Sequence, residues 1–177
     1  MALASRLPSE ELYRKGLTAF SSAIPPKQEY LARIKNTNYL PNVFMAVEAR
    51  QKGMDVAVTF DENGFMGEAA IANLGIVDAR GRLRSPELRR ILPGTTLLAA
   101  LKLAEERMPV IQAPIHKEDI ATAREMLLFT SATLCVGVTH FDGRPVGQGD
   151  YRGRPGPTAL WLKDALLAQM LAQGTPY

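Results

Sequence analysis

Lys35 stands out by its setting. It lies in Leu31-Ala32-Arg33-Ile34-Lys35-Asn36-Thr37-Asn38-Tyr39-Leu40-Pro41-Asn42, between an apolar approach (Tyr30, Leu31, Ile34) and a helix start. An amine held among apolar side chains loses preference for its charged form, and a neutral amine is a nucleophile. The expectation is that the amine points inward; a solvated loop lysine is the alternative reading. A second stretch, Ile91-Leu92-Pro93-Gly94-Thr95-Thr96, opens a helix. Glycine followed by hydroxyl residues there exposes N–H groups at a positive dipole end, which suits either a phosphate or a plain capping loop. Thr130-Ser131-Ala132-Thr133 then interrupts an apolar run with three hydroxyls. Such hydroxyls bond backbone groups or face a polar ligand.

Other chemistries find little support. His116 and His140 are the only histidines and lie far apart in sequence, which leaves no His-based metal site and no Ser-His-Asp triad. Cys135 is the only cysteine, so neither a disulfide framework nor a zinc cluster is expected, and it reads as a small buried side chain. The net charge of +3 comes from dispersed basic residues. Only Arg80, Arg82, Arg84, Arg89 and Arg90 concentrate them, without interleaved aromatics, so the run reads as a solvated edge and no nucleic-acid partner is expected. The longest apolar runs, such as Thr95 to Ala104, fall short of the roughly 20 residues that cross a bilayer. Met1 to Leu7 lacks the apolar centre of a signal peptide, so no membrane partner and a cytoplasmic location are expected.

The elements that must position these residues follow from pattern. At 177 residues and 46% hydrophobic, the chain can bury one sizeable core. An exposed lead-in from Met1 to Gly16 holds a helical turn from Ser9 to Lys15, Leu17 to Ile24 is a strand, and Pro25-Pro26 reads as a linker. Asn38 is the expected cap of a helix with Leu40, Val43, Phe44 and Val47 on its apolar face, stopped by Gly53. Strands at 54–60 and 65–70 flank the Asn63-Gly64 turn, and a second pair spans 74–77 and 82–85. After the helix 95–107 come a strand at 110–115, a helix at 116–124, and one long or two kinked strands over 126–139. A turn at 141–145, a Gly-rich loop and a helix at 158–171, with Leu160, Trp161, Ala165, Leu166 and Met170 on its apolar face, complete the chain.

In this order, IKNTNYLPNV, EARQKGMD, DENGFMGEAAIANLGIV, ILPGTT, EMLLFTSA and FDGRPVGQG resemble the class IV pyridoxal-phosphate aminotransferases, the group of branched-chain and D-amino-acid aminotransferases and aminodeoxychorismate lyase. The resemblance runs from about Leu12 to Leu171 and is strongest toward the D-amino-acid aminotransferases and the related plant lyase group. It implies a mixed α/β, barrel-like large domain of fold type IV over residues 27–177, with 1–26 as lead-in strand and interdomain linker. The implied activity is transamination between amino acids and 2-oxo acids with pyridoxal 5′-phosphate, by a homodimer.

The resemblance also assigns roles. Lys35 matches the lysine that forms the Schiff base and shuttles the substrate proton; Glu68 matches the glutamate that keeps the ring nitrogen protonated. Without the resemblance, Glu68 would be an edge-strand carboxylate facing water. Tyr39 matches a position that reaches the cofactor's phenolic oxygen, or serves as a half-buried helix anchor. Leu92 matches the apolar residue on the ring face, Gly94, Thr95 and Thr96 the phosphate cup, and Ser131, beside Ala132, a second phosphate hydroxyl. Thr95 replaces a frequent isoleucine, Ser131 a frequent threonine, and Leu134 a frequent glutamate, which leaves substrate choice open. Family members carry an N-terminal domain of roughly a hundred residues that supplies a phosphate-binding arginine and one pocket wall. The sequence begins where that domain ends, and Arg6, Arg14 and Arg33 lie in the wrong segments to replace the arginine. An aminodeoxychorismate-lyase-like activity and a truncated, inactive domain are the alternatives.

Overall fold

The computed structural model describes residues 8–173. The elements run α1 (Glu10–Lys15), β1 (Leu17–Ser21), α2 (Glu29–Ala32), α3 (Leu40–Lys52), β2 (Val56–Phe60), β3 (Met66–Ala69), β4 (Asn73–Val77), β5 (Leu83–Ser85) and α4 (Thr95–Ala104). They continue through β6 (Val110–Gln112), α5 (Lys117–Thr122), β7 (Glu125–Thr130), β8 (Leu134–Phe141), β9 (Arg144–Pro145), a 3₁₀ turn at Gly149–Tyr151 and α6 (Pro157–Gln173).

The strands form one mixed sheet in the order β3-β2-β1-β8-β7-β4-β5-β6, with β9 on β8. β1 runs parallel to both its neighbours, while β7 is antiparallel to both β4 and β8. The sheet curls until its edges meet. Met66 N–H donates to Ile115 O at 2.8 Å and Lys117 N–H to Gly64 O at 2.9 Å, so β3 is bridged to the chain beyond β6. These bonds occupy edge groups that would otherwise stand open. The expected barrel-like, mixed α/β architecture is what is found.

Strand alternation divides the apolar residues between two cores. Along β7, Met126 and Leu128 enter the inner cluster with Leu74, Ile76, Ile115 and Val138. Leu127 and Phe129 point to the outer face, where Leu97, Leu101, Leu162 and Leu166 bring α4 and α6 onto the sheet. Strands covered on both faces read as continuous apolar runs, which explains Met-Leu-Leu-Phe. A third cluster seats α3 through Met45 and Ala49 on Phe20 and Ala57.

Several expectations are corrected. The run 126–139 is neither one long strand nor two kinked ones but a tight hairpin, with β7 paired antiparallel to β8. Thr130 Oγ1 accepts from the N–H groups of Ala132 (3.2 Å) and Thr133 (2.9 Å), so the hydroxyl bends the chain where the sheet ends. On α3 the Leu40, Val43, Phe44 and Val47 stripe faces outward, because the small and flexible Ala49 and Met45 are what fit against β1 and β2. Tyr39, not Asn38, occupies the cap position of α3, while Gly53 ends it with φ of 62°. In α6 the buried face is Ala159, Leu162, Lys163 and Leu166, with Leu160 and Met170 exposed. The Arg80–Arg90 run is a solvated edge only in part: Arg80 and Arg89 are exposed, the latter pairing with Glu29 and Glu87, whereas Arg82, Arg84 and Arg90 are half-buried in pairs with Asp78, Asp119 and Asp61. The lead-in expected over Met1 to Leu7 lies outside the described residues. Cys135 is buried as expected.

Candidate active site

A β-bulge aims the central carboxylate. Val58 pairs with Ala69 and Phe60 with Met66, so Gly67 and Glu68 on β3 both stand opposite Thr59 on β2. The Thr59 hydroxyl replaces the lost ladder bonds, donating to Glu68 O at 2.9 Å and accepting from Glu68 N–H at 3.1 Å. A Cβ at Gly67 would come within 2.5 Å of that hydroxyl oxygen, so glycine beside the bulge leaves it room. Glu68 then projects into a cleft of about 420 Å³ between the start of α3, the start of α4 and the β7–β8 turn.

Its side chain is 16% exposed and the carboxylate is held from two sides. Oε2 accepts from the Leu92 N–H at 3.0 Å, and the Lys27 ammonium lies 3.6 Å from Oε1. Burial pushes the Glu68 carboxyl up, and the Leu92 N–H, Lys27 and Lys35 offset this only in part, so it titrates above the usual glutamate range.

Across the cleft, Lys35 Nζ donates to the Tyr39 hydroxyl at 3.2 Å and lies 5.8 Å from its ring centroid. The expected apolar enclosure of Lys35 is not there. Tyr30 and Ile34 point to solvent, 74% and 52% exposed, and Lys35 itself is exposed. The phenol orients the amine instead.

The third wall is the loop before α4. Leu92 O accepts from Asn73 Nδ2 at 2.8 Å and from the Gly94 N–H at 2.8 Å, which fixes the turn into the helix. Gly94 is the N-cap and no side chain caps α4, so its first N–H groups and positive dipole end face the cleft. Thr95 and Thr96 line it there.

The structure thus brings Lys35, Tyr39, Glu68, Leu92, Gly94, Thr95, Thr96 and Ser131 around one cleft. Ala132 lines the adjoining apolar groove of about 430 Å³ beneath α3. Of the two readings for the hydroxyl run, Thr130 bonds backbone groups while Ser131 stays exposed at the cleft rim. Sequence reasoning did not single out Lys27, Thr59 or Asn73. A buried asparagine opening the otherwise apolar Asn-Leu-Gly-Ile-Val strand was the available signal for the last.

The donor set has a clear chemical sense. An amine, a carboxylate behind an apolar wall and an uncapped helix N-terminus suit a planar, nitrogen-containing ring that carries an electrophilic carbon and a phosphate arm. The cleft volume falls within the usual range for such ligands. Among the described residues no group of His, Cys, Asp and Glu could hold a metal ion, and no helix is long and apolar enough to cross a membrane.

Comparison with known proteins shows the family of the chain. The family described as amino-transferase class IV matches residues 1–141. The D-amino-acid transaminase, chloroplastic, of Arabidopsis thaliana is 32% identical over 162 residues, covering 88% of this chain and 42% of that protein. The branched-chain-amino-acid aminotransferase of Escherichia coli K12 is 31% identical over 129 residues, covering 72% and 40%. The branched-chain amino acid aminotransferase from Thermobaculum terrenum, solved in its PLP-form, superposes with a TM-score of 0.83 at 22% identity, covering 95% of this chain and 55% of that one. The chain spans about two fifths of the length of these curated relatives.

Proposed function

The chain belongs to the class IV aminotransferase family, and from that footing we propose that it takes pyridoxal 5′-phosphate in the Lys35–Glu68 cleft and moves amino groups between amino acids and 2-oxo acids. The observation that carries the reading is the convergence on one cleft of the Lys35 amine, the Glu68 carboxylate and the uncapped start of α4. When bound, the cofactor supplies an aldehyde that condenses with amines and a ring that withdraws electrons from the adjoining carbon.

The chain's own residues supply the rest. Lys35 Nζ is the amine that would hold the cofactor and, when free, would take up and return the substrate's proton. Tyr39 aims that amine and would serve the phenolic oxygen. Glu68 would accept a hydrogen bond from the ring nitrogen, and Leu92 would lie against the ring face. The N–H groups that follow Gly94, with the hydroxyls of Thr95, Thr96 and Ser131, hold the phosphate. Ala132 borders the side from which an apolar substrate group would enter. Residues 27–177 are read as the cofactor domain, 1–26 as its lead-in, and the protein as a cytoplasmic homodimer. Support for self-association is the exposed apolar stripe of α3.

Borohydride reduction of the protein mixed with pyridoxal 5′-phosphate, followed by peptide mass mapping, tests the assignment. The expected adduct sits on Lys35 and vanishes in Lys35→Ala. An adduct distributed over several surface lysines, or one that survives the substitution, would defeat the reading. Conversion of the cofactor to its amine form by an amino acid, reversed by a 2-oxo acid, separates transamination from elimination.

A further inference from the structure

One charged side chain in the cleft has no part in the roles above. Lys27 follows Pro25-Pro26 and reaches back toward β3, where its ammonium lies 3.6 Å from Glu68 Oε1 with its side chain only 23% exposed. Lysines are seldom held this far out of water without a task, and the prolines stiffen the segment that brings it there. The arrangement around Glu68 is asymmetric. Oε2 is occupied by the Leu92 N–H, and Lys27 is the cation paired with Oε1. The other titratable groups facing the carboxylate, Lys35 and Tyr39 from the segment that leads into α3, are engaged with each other at 3.2 Å. Arg90, the nearest arginine in sequence to Leu92, is bound to Asp61 instead.

We infer that Lys27 is a positioning residue for the reaction, keeping Glu68 ionised so that the proton shared with the cofactor's ring nitrogen resides on the nitrogen. The inference rests on the proposed seating of pyridoxal 5′-phosphate. A carboxylic acid and a pyridine of similar basicity share one proton, and it can lie on either partner. Glu68 is buried, which favours its protonated form and would leave the ring neutral and a poor electron acceptor. An ammonium 3.6 Å from the carboxylate stabilises the anion, so the same proton lies on the ring. No bond to carbon changes; the effect is where one proton rests between two atoms.

The experiment uses the 177-residue chain in two states. Without cofactor, the Glu68 side-chain carboxyl is followed by ¹³C NMR against pH, assigned with Glu68→Gln. Lys27→Met should raise its midpoint by roughly one unit or more, and Lys27→Arg should restore it. With ¹⁵N-labelled pyridoxal 5′-phosphate bound, the ring ¹⁵N resonance should move from the pyridinium toward the neutral-pyridine position in Lys27→Met and return in Lys27→Arg. A ring resonance unmoved by Lys27→Met would overturn the inference, even if the ¹³C midpoint shifts, because the lysine would then merely fill the site until the cofactor displaces it. An unshifted ¹³C midpoint would overturn it as well. Absence of a bound, Lys35-linked cofactor in the wild type is a different failure, one that sinks the proposed function and leaves the carboxyl titration readable.

Discussion

Leu92 binds Glu68 through its amide: the Leu92 N–H donates to Glu68 Oε2 at 3.0 Å while the Leu92 carbonyl accepts from Asn73 at 2.8 Å. One peptide segment therefore links the carboxylate assigned to the ring nitrogen with the turn assigned to the phosphate. Distances across the cleft are set by backbone, which has little freedom to drift.

That link predicts a coupled pair of substitutions. A Cβ at Gly94 would collide with Asn73 Oδ1, and Asn73 is buried and clamped by Leu92. Gly94→Ala should cost about 1–3 kcal/mol by overpacking. Asn73→Ala should cost a similar amount, about 1–3 kcal/mol, by leaving the Leu92 carbonyl short of a partner. The double variant should cost clearly less than the sum, since Asn73→Ala removes the obstacle. Urea denaturation of all four proteins reads the cycle, and additivity within about 0.5 kcal/mol would show that this contact is not why glycine stands there.

The raised Glu68 carboxyl has a pH signature in the cofactor-free protein. Burial is the cause, so the folded state holds the proton more tightly than the unfolded chain. Between the ordinary glutamate range and the raised folded value the native state binds more protons, and its stability falls as pH rises through that window. Glu68→Gln removes the titration. The variant should gain stability relative to wild type across that window and keep the gain at neutral pH. Equal slopes of unfolding free energy against pH in the two proteins would contradict the burial argument.

Much of this was legible in the sequence because the signals are local. The Asn63-Gly64 hairpin, the Gly53 helix stop and the glycine before α4 each follow from one or two residues, and the structure has all three. What escaped were relations set by tertiary contact. Whether Val43 and Phe44 or Met45 and Ala49 face inward depends on the space over β1, which periodicity does not report. Lys35 drew attention for an apolar setting that the fold does not build; its amine is oriented by Tyr39, four residues on. Thr59, Asn73 and Lys27 touch the site across gaps in sequence, where spacing carries no information.

Away from the cleft, Glu125 caps α6 from the middle of the protein. It is 6% exposed and accepts from the N–H groups of Thr158 and Ala159 at 2.9 and 3.0 Å, with Gly156 leaving space for the carboxylate. Glu125→Leu strands two buried donors and should cost about 2–4 kcal/mol, with Glu125→Gln costing less because one acceptor oxygen remains. Urea midpoints check this order. Affinity for pyridoxal 5′-phosphate in the folded fraction should hardly change, since α6 packs on the outer face of the sheet.

The α3 stripe gives the last prediction. Leu40, Val43, Phe44 and Val47 follow the i, i+3, i+4, i+7 pattern and are 59%, 50%, 51% and 45% exposed, so a complete apolar helix face stands in water. A face of this kind is normally covered, and a second copy related by a two-fold axis covers it with itself. Val43→Glu combined with Phe44→Glu should shift the protein to monomer without unfolding it, because α3 is held by Met45 and Ala49 on its other side. Sedimentation velocity over a hundredfold concentration range, with circular dichroism as the control for folding, decides the matter. If the wild type sediments as a monomer throughout, this stripe is not a self-association surface, and the proposed homodimer falls with it.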